Sequence, residues 1–403
     1  MQLNEYMNKK VTAVTKRIVF LGGGTGGVIG ALTLAEAKKK HGLDLEITVI
    51  NKDEWHYMPP LWMDVAIEGL PIEKTRAPIK NLEKYGVKVI VNEATKVNPD
   101  ERNVELADGS KVEYDYLFLT LGLRNGWEAY PGLADEGYHN YDPDAAQEFH
   151  KALMAFKGGK VTILVPEVPF RCGIYPIEFA TVLGYKLKVL GIDAKITLLS
   201  PKMPNGMDIT WGLGPDIRKL WGKYMAKFNI EVKLHDGLER IDKEKKVVVT
   251  RNYEEPYDLL VKVPPPRPPK VLEDPVFLFE HDKRFVKARP RDFRHPEYDD
   301  IFSTGEHSMP PVGLGTAGVF VHAATSKAVN ILLEELYGVG EVHEFTPVAC
   351  VAYSGDKGFL GVCEVEFNGQ MYTWQKCYNV MESFAMKFVK RSFYQGWLDK
   401  LRI

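Results

Sequence analysis

The chain has 403 residues, 52 basic against 54 acidic side chains, 45% hydrophobic residues and a formal net charge of −2. At about 100–200 residues per domain this length holds two or three domains, and the composition excludes a disulfide scaffold, collagen and a disordered chain. The near-neutral balance argues against a nucleic-acid partner. Four cysteines, Cys172, Cys350, Cys363 and Cys377, are too few for a framework and too widely spaced for a zinc module, so no metal is expected and any chemistry they carry is that of reactive thiols.

Residues Met1 to Val14 contain no apolar segment of signal-peptide length and no twin arginine, so the chain is expected to be unexported. The longest apolar stretch, Val312 to Leu333, is broken by Gly313, Gly315, Gly318, His322 and Lys327. It falls short of the roughly 20 uninterrupted residues that span a bilayer. Attachment to one membrane face remains open.

Strand and helix patterns alternate from Arg17, which predicts an α/β fold with parallel sheets. Strand Arg17–Leu21, a glycine turn, a helix ending in Lys38-Lys39-Lys40 and strand Glu46–Ile50 form a first βαβ unit. Strand Lys160–Val165, a helix around Pro176–Leu190 and strand Ala194–Ser200 form a second. The run Pro264-Pro265-Pro266-Arg267-Pro268-Pro269 reads as a stiff, extended surface connection. Strand Asp300–Ser303 and a helix from about Gly313 to Tyr337 return to the first unit. The expected division is a dinucleotide-binding Rossmann domain over 16–123 and 293–340, a second Rossmann-like domain over 124–292, and a C-terminal region over 341–403.

Gly22, Gly24 and Gly27 make G-x-G-x-x-G between an apolar strand and a helix, with Thr25 and Gly26 inside the motif. The first glycine permits the turn, the second admits a pyrophosphate and the third allows helix–strand packing, with the phosphates at the helix N-terminus. Asn51 replaces the usual acidic residue at the end of the second strand, and its amide oxygen is a candidate acceptor for a ribose hydroxyl. Gly122 after strand Tyr116–Thr120, and Gly305-Glu306 after Ile301–Thr304, have the strand-glycine and strand-glycine-acid forms that point to FAD.

The second unit lacks the motif. Its first strand runs into Pro166-Glu167-Val168-Pro169-Phe170-Arg171-Cys172-Gly173, where side chains take the space a nicotinamide nucleotide needs. Cys172 is either a small buried hydrophobe or a nucleophile; the start of the next helix and Arg171 are expected to favour its thiolate. Glu178, six residues on, is either a general base or a carboxylate satisfying its helix N-terminus. A two-residue turn at Asn368-Gly369 would set Cys363 opposite Trp374 and Cys377 opposite Leu360, on opposite sides of a hairpin. Both read as structural. The tail holds two helical turns rich in aromatics, Phe384, Phe388, Phe393, Tyr394 and Trp397, among five basic residues. It is either an amphipathic membrane-attachment piece or a helix packed on the core.

The FAD glycines, the missing nicotinamide glycines, Cys172 with Glu178, Cys350 in Thr-Pro-Val-Ala-Cys-Val-Ala and the aromatic tail together resemble the sulfide:quinone oxidoreductases, and beyond them the flavocytochrome c sulfide dehydrogenases. The resemblance runs from Arg17 to the end. It implies a monotopic flavoenzyme, attached to the cell membrane, that oxidises sulfide at Cys172 and Cys350 on one flavin face and passes two electrons to quinone on the other, with Glu178 as proton acceptor. Hydrosulfide would attack a Cys172–Cys350 bridge and leave a persulfide on one cysteine. A third family cysteine is replaced by Tyr141, and no cysteine lies in Asn51–Trp62, so FAD is expected to be non-covalent. A homo-oligomer is compatible with all of this. The competing readings are a type II NADH:quinone dehydrogenase, which needs the absent glycines, and a flavoprotein subunit that docks a cytochrome. A disulfide reductase needs a close-spaced cysteine pair and falls.

Overall fold

In the computed structural model, residues 15–202, 209, 215–280, 284–308, 315–343, 348–367 and 372–402 are described. Strands Ile301–Ser303, Tyr116–Leu119, Lys16–Leu21, Leu45–Asn51 and Lys88–Val91 lie side by side in that order, all parallel. Their register puts Phe20, Phe118 and Phe302 abreast, and the rings stack with centroids 4.8 and 4.6 Å apart. That stack ties the late strand to the first unit, as the sequence predicts, because each ring fills apolar space only when all three strands are adjacent.

The described α-helices are α1 (Thr25–His41), α2 (Trp62–Glu68), α3 (Pro143–Ala155), α4 (Tyr175–Val189), α5 (Pro215–Lys227), α6 (Gly318–Tyr337) and α7 (Phe384–Arg402). Local chemistry sets their ends. Helix α1 stops at left-handed Gly42 with three lysines and a histidine in its last turn. Helix α3 starts at Asp142, whose carboxylate accepts the Ala145 N–H, with Pro143 at the first helical position.

A second parallel sheet has the order Ile230–His235, Ala194–Pro201, Gly159–Leu164, Leu259–Lys262. Its crossover helix α4 is buried along most of its length, so it reads as nearly continuous apolar sequence. The proline run is not a surface connection. Pro264, Pro265, Pro266 and Pro268 are buried, and Pro266–Arg267 pairs antiparallel with Arg124–Asn125, so the two chain segments that pass between the sheets run side by side.

Strands Val348–Ser354, Lys357–Phe367 and Tyr372–Ser383 form an antiparallel meander that leads into α7. Cys350 sits inside the first of these, not at its end, opposite Gly361. The expected hairpin exists with a different register: Phe367 pairs with Tyr372, and 368–371, which include the expected Asn368-Gly369 turn, lie outside the described residues. One irregularity, between Val365–Trp374 and Glu364–Lys376, then shifts the pairing so that Cys363 lies opposite Cys377; a second lies beyond it, between Val362 and Leu360. The two-residue-turn rule failed because an extra residue in one strand re-registers everything beyond it.

Candidate active site

A cavity of about 490 Å³ runs from the glycine turn to the underside of α7. Gly24, Thr25, Gly26, Asn51, Gly122 and Glu306 line it. A Cβ on Gly24 would meet nothing within 4 Å, whereas one on Gly27 would overlap the Gly22 carbonyl oxygen, and Gly22 itself has φ +110°. Thus Gly22 and Gly27 bring α1 against its strand, and Gly24 leaves room for a phosphate at the uncapped helix start. Gly305 also sits behind the wall, where a Cβ would overlap the Leu121 carbonyl oxygen. Asn51 is not the free acceptor expected: its oxygen accepts the Gly23 N–H at 2.9 Å, and its amide nitrogen donates to the Asp53 and Trp55 carbonyls.

His56, unmarked in the sequence, is fully buried beneath the same turn, with Nδ1 2.9 Å from the Gly23 oxygen. His307 bonds the Leu121 oxygen through Nδ1 and the Ser303 hydroxyl through Nε2. Burial lowers both histidines to about 4, so both are neutral at physiological pH.

Cys172 lies on the wall of this cavity, half-buried, with a left-handed φ of 58°, a conformation that favours glycine and is sustained only where the surroundings fix it. The expected activation of its thiol is overturned. Burial, then the Glu178 carboxylate, push the Cys172 thiol up to about 12, with Lys390 opposing. Arg171 does not help, because its guanidinium is held by Glu306 at 3.1 Å and Asn125 at 2.9 Å. Helix α4 begins at Tyr175, where it was expected, and the Tyr175 N–H bonds the Cys172 carbonyl. Tyr141 lines the cavity beside Cys172, its ring edge-on to Tyr175 and its hydroxyl 3.4 Å from the Arg171 oxygen, and burial raises its hydroxyl well above the ordinary tyrosine value. The backbone of Cys350 adjoins cavity-lining Val351; its side chain lies outside what is described, and Cys172 is a free thiol, not bridged as the resemblance implies.

Glu178 is buried in the first turn of α4, and its carboxylate does not cap that helix. One oxygen accepts from Lys390 at 2.5 Å and from the Tyr353 backbone N–H at 2.6 Å. Lys390 is itself buried and stacks over the Tyr353 ring at 4.0 Å. The Tyr353 hydroxyl donates to Asp64, a buried carboxylate in the apolar helix α2 that also pairs with Arg391. Sequence reasoning missed Lys390, Tyr353 and Asp64. A lone carboxylate in Trp62-Met63-Asp64-Val65-Ala66-Ile67 was the one available signal, since such a charge is buried only with a partner.

The tail is a single 19-residue helix, not two turns. Four of its five cations are engaged with the protein, Lys400 being exposed: besides Lys390 and Arg391, Lys387 lies 3.7 Å from Glu68, and Arg402 bonds the Glu73 and Arg76 carbonyls. Phe384, Phe388 and Phe393 are instead 59–61% exposed, and from Phe384 to Gly396 the exposed positions of α7 carry no charge. Tyr394 and Trp397 turn inward, packing on the first unit and lining the cavity. Among the described residues no helix is long and apolar enough to cross a membrane.

In the second unit a side chain stands where the glycines would be: that of Glu167, its carboxylate held by Arg267 at 2.7 Å, Arg284 at 3.4 Å and the Tyr130 hydroxyl at 3.1 Å.

Residues 16–263 match the model of the pyridine nucleotide-disulphide oxidoreductase family. The chain belongs to that family. Within it, the oxidoreductase is similar to the mitochondrial sulfide:quinone oxidoreductase of Dictyostelium discoideum, 26% identical over 98% of this chain and 86% of that protein. The sulfide-quinone reductase of Aquifex aeolicus is 24% identical over 86% of this chain and 83% of that protein. The solved sulfide:quinone oxidoreductase structure from Aquifex aeolicus superposes with a TM-score of 0.82 at 21% identity, covering 96% of this chain and 92% of that one. A type II NADH:quinone oxidoreductase of Staphylococcus aureus matches over 34% of each chain at 29% identity.

Proposed function

We propose that the oxidoreductase oxidises sulfide with Cys172 and Cys350 and passes the two electrons through FAD to a quinone at the cavity's α7 end. One observation carries the reading. A cysteine, a buried carboxylate–ammonium pair and a dinucleotide cradle open onto one cavity that ends beneath an uncharged aromatic helix face.

The residues fit FAD. Gly24, Thr25 and Gly26 would hold the pyrophosphate, and Gly122 and Glu306 the chain towards the flavin ring. When bound, FAD supplies a two-electron acceptor between thiols and quinone. In the protein-borne step hydrosulfide attacks one sulfur of a Cys172–Cys350 disulfide. A new S–S bond forms, the cysteine–cysteine bond breaks, one cysteine becomes a persulfide and the other leaves as a thiolate carrying the electron pair. Sulfide sulfur is oxidised by two electrons, and the bridge is the immediate acceptor. The raised Cys172 pKa suits the sulfur that is attacked and kept as the persulfide rather than the one that leaves as a thiolate. Glu178 and Lys390, paired at 2.5 Å, line the cavity together with Cys172, which makes the carboxylate the candidate proton acceptor.

Phe384, Phe388 and Phe393 give α7 an apolar face suited to a membrane surface, and Phe393, Tyr394 and Trp397 line the cavity beneath it, where a quinone ring would enter. Anaerobic titration tests the reading. Sulfide should bleach the flavin of the wild type and not of C172S or C350S, with yellow colour kept in both, and NADH should not bleach it. Normal bleaching by sulfide in either mutant ends the mechanism, and rapid bleaching by NADH moves the protein to the NADH dehydrogenases.

A further inference from the structure

The Gly23 peptide is gripped at both ends. Its N–H donates to the Asn51 side-chain oxygen at 2.9 Å, and its carbonyl lies 2.9 Å from Nδ1 of His56. The other ring nitrogen, Nε2, lies 3.3 Å from Nε1 of Trp397. An indole N–H only donates and a carbonyl only accepts. Nε2 is therefore the acceptor, Nδ1 carries the proton, and the bonds run in one direction from Trp397 through His56 to Gly23. Trp397 belongs to α7, one turn beyond exposed Phe393, and its ring also lies 5.9 Å from that of His322 on α6. Gly23 lies inside the turn that leaves Gly24 open to the cavity.

We propose that Trp397 and His56 are positioning residues that latch α7 onto the FAD-binding turn, so that the seating of the C-terminal helix governs how tightly the cofactor is kept. The proposal rests on the FAD reading above. It adds to it a role for a histidine and a tryptophan that have no part in the thiol chemistry. The link is specific to one tautomer of a neutral, buried ring, and it joins two segments 341 residues apart, so an unseated α7 takes the acceptor's partner away and frees the ring that fixes the Gly23 carbonyl.

The test measures FAD release from the purified holoenzyme by recovery of flavin fluorescence after dilution. W397F keeps an aromatic ring and loses the donor. H56N keeps an amide donor near the Nδ1 position and loses Nε2. Each single variant should release FAD about five- to tenfold faster than wild type, the loss of one hydrogen bond's contribution. The double variant should be no more than about twofold faster than either single, because both break one link. Release from W397F within about twofold of wild type overturns the latch, as does a double variant equal to the product of the singles. A W397F protein whose apo form melts lower while FAD release is unchanged is a packing mutant and also overturns it. If W397F does not fold, H56N carries the test with the same threshold. A wild-type protein that purifies without flavin and takes up none overturns the FAD reading itself, which separates that failure from failure of the latch.

Discussion

The two parallel units start alike, with an apolar strand leading through a turn into a buried helix, and they part at the turn. In the first the turn is bare backbone, open at Gly24 and closed behind by the contact of Gly27 with the Gly22 carbonyl. In the second a carboxylate occupies the corresponding place, with Arg267, Arg284 and Tyr130 converging on Glu167. The chain has supplied from within the anion that a nucleotide would otherwise bring. One fold thus keeps a cofactor site in one copy and converts the other into the support for Cys172, five residues past Glu167. Family membership alone does not settle which cofactors bind, because the turn, not the sheet, decides it.

The difference can be broken most completely at the bare turn. In G27A the added methyl has no space against the Gly22 carbonyl, so the protein should purify without flavin, read as absorbance near 450 nm per protein. G24A, facing open cavity, should keep a measurable fraction. Equal flavin content in the two would show that the turn does not make the site.

Acid probes the same unit with the next largest effect. His56 and His307 are fully buried and lowered to about 4, against 6.5 in the unfolded chain. Between pH 6.5 and about 4 the unfolded state binds the extra protons, so stability falls as pH falls through that window, by about 3 kcal/mol per histidine, and levels off below it. Both rings bond carbonyls that back the cofactor cavity, at Gly23 and Leu121. Burial lowers His139, His235, His295 and His322 as well, so urea midpoints measured from pH 7 to 4 should drop with a slope of more than two protons, and H307Q should remove about one of them.

The second unit answers to E167A. Its carboxylate is only about 15% exposed and faces two arginines, so removing it should cost about 2–3 kcal/mol, less than a fully buried pair. It should not create NADH oxidation, since the glycines are still missing. A stability unchanged within about 0.5 kcal/mol in urea would show that Glu167 is not what holds this turn together.

How much of this was legible follows the range of each interaction. The glycine turn was legible because its requirements are local, as were the paired units and the returning strand at Ile301–Ser303. Cys172 and Glu178 were legible as a pair six residues apart, but not the direction in which the thiol shifts. Burial and Glu178 raise it, opposed by Lys390, which lies 212 residues beyond Glu178. The tail's composition was legible and its orientation was left open. Aromatic and basic residues alternate along α7, and periodicity cannot say which set faces the protein until Asp64 and Glu178 are seen waiting for Arg391 and Lys390. The hairpin cysteines were misplaced because pairing starts at Phe367–Tyr372 and one bulge, which leaves no mark in a stretch of alternating sequence, then shifts it.

The smallest expected effect concerns the junction of the two units, where Cys172 meets Glu178. The carboxylate raises the thiol pKa and Lys390 lowers it, so the two partners of one ion pair act on the sulfur with opposite sign. In the reduced enzyme, E178Q should speed alkylation of Cys172 by iodoacetamide at fixed pH, by up to about tenfold for each pKa unit removed. K390M should slow it. Simple loosening of the buried pair, which either change also causes, exposes the thiol and speeds both. Opposite shifts in rate, read by mass spectrometry of the Cys172 peptide, therefore separate the charge from the packing. Two shifts in the same direction would show that Glu178 and Lys390 hold the cavity's shape and leave the sulfur's proton alone.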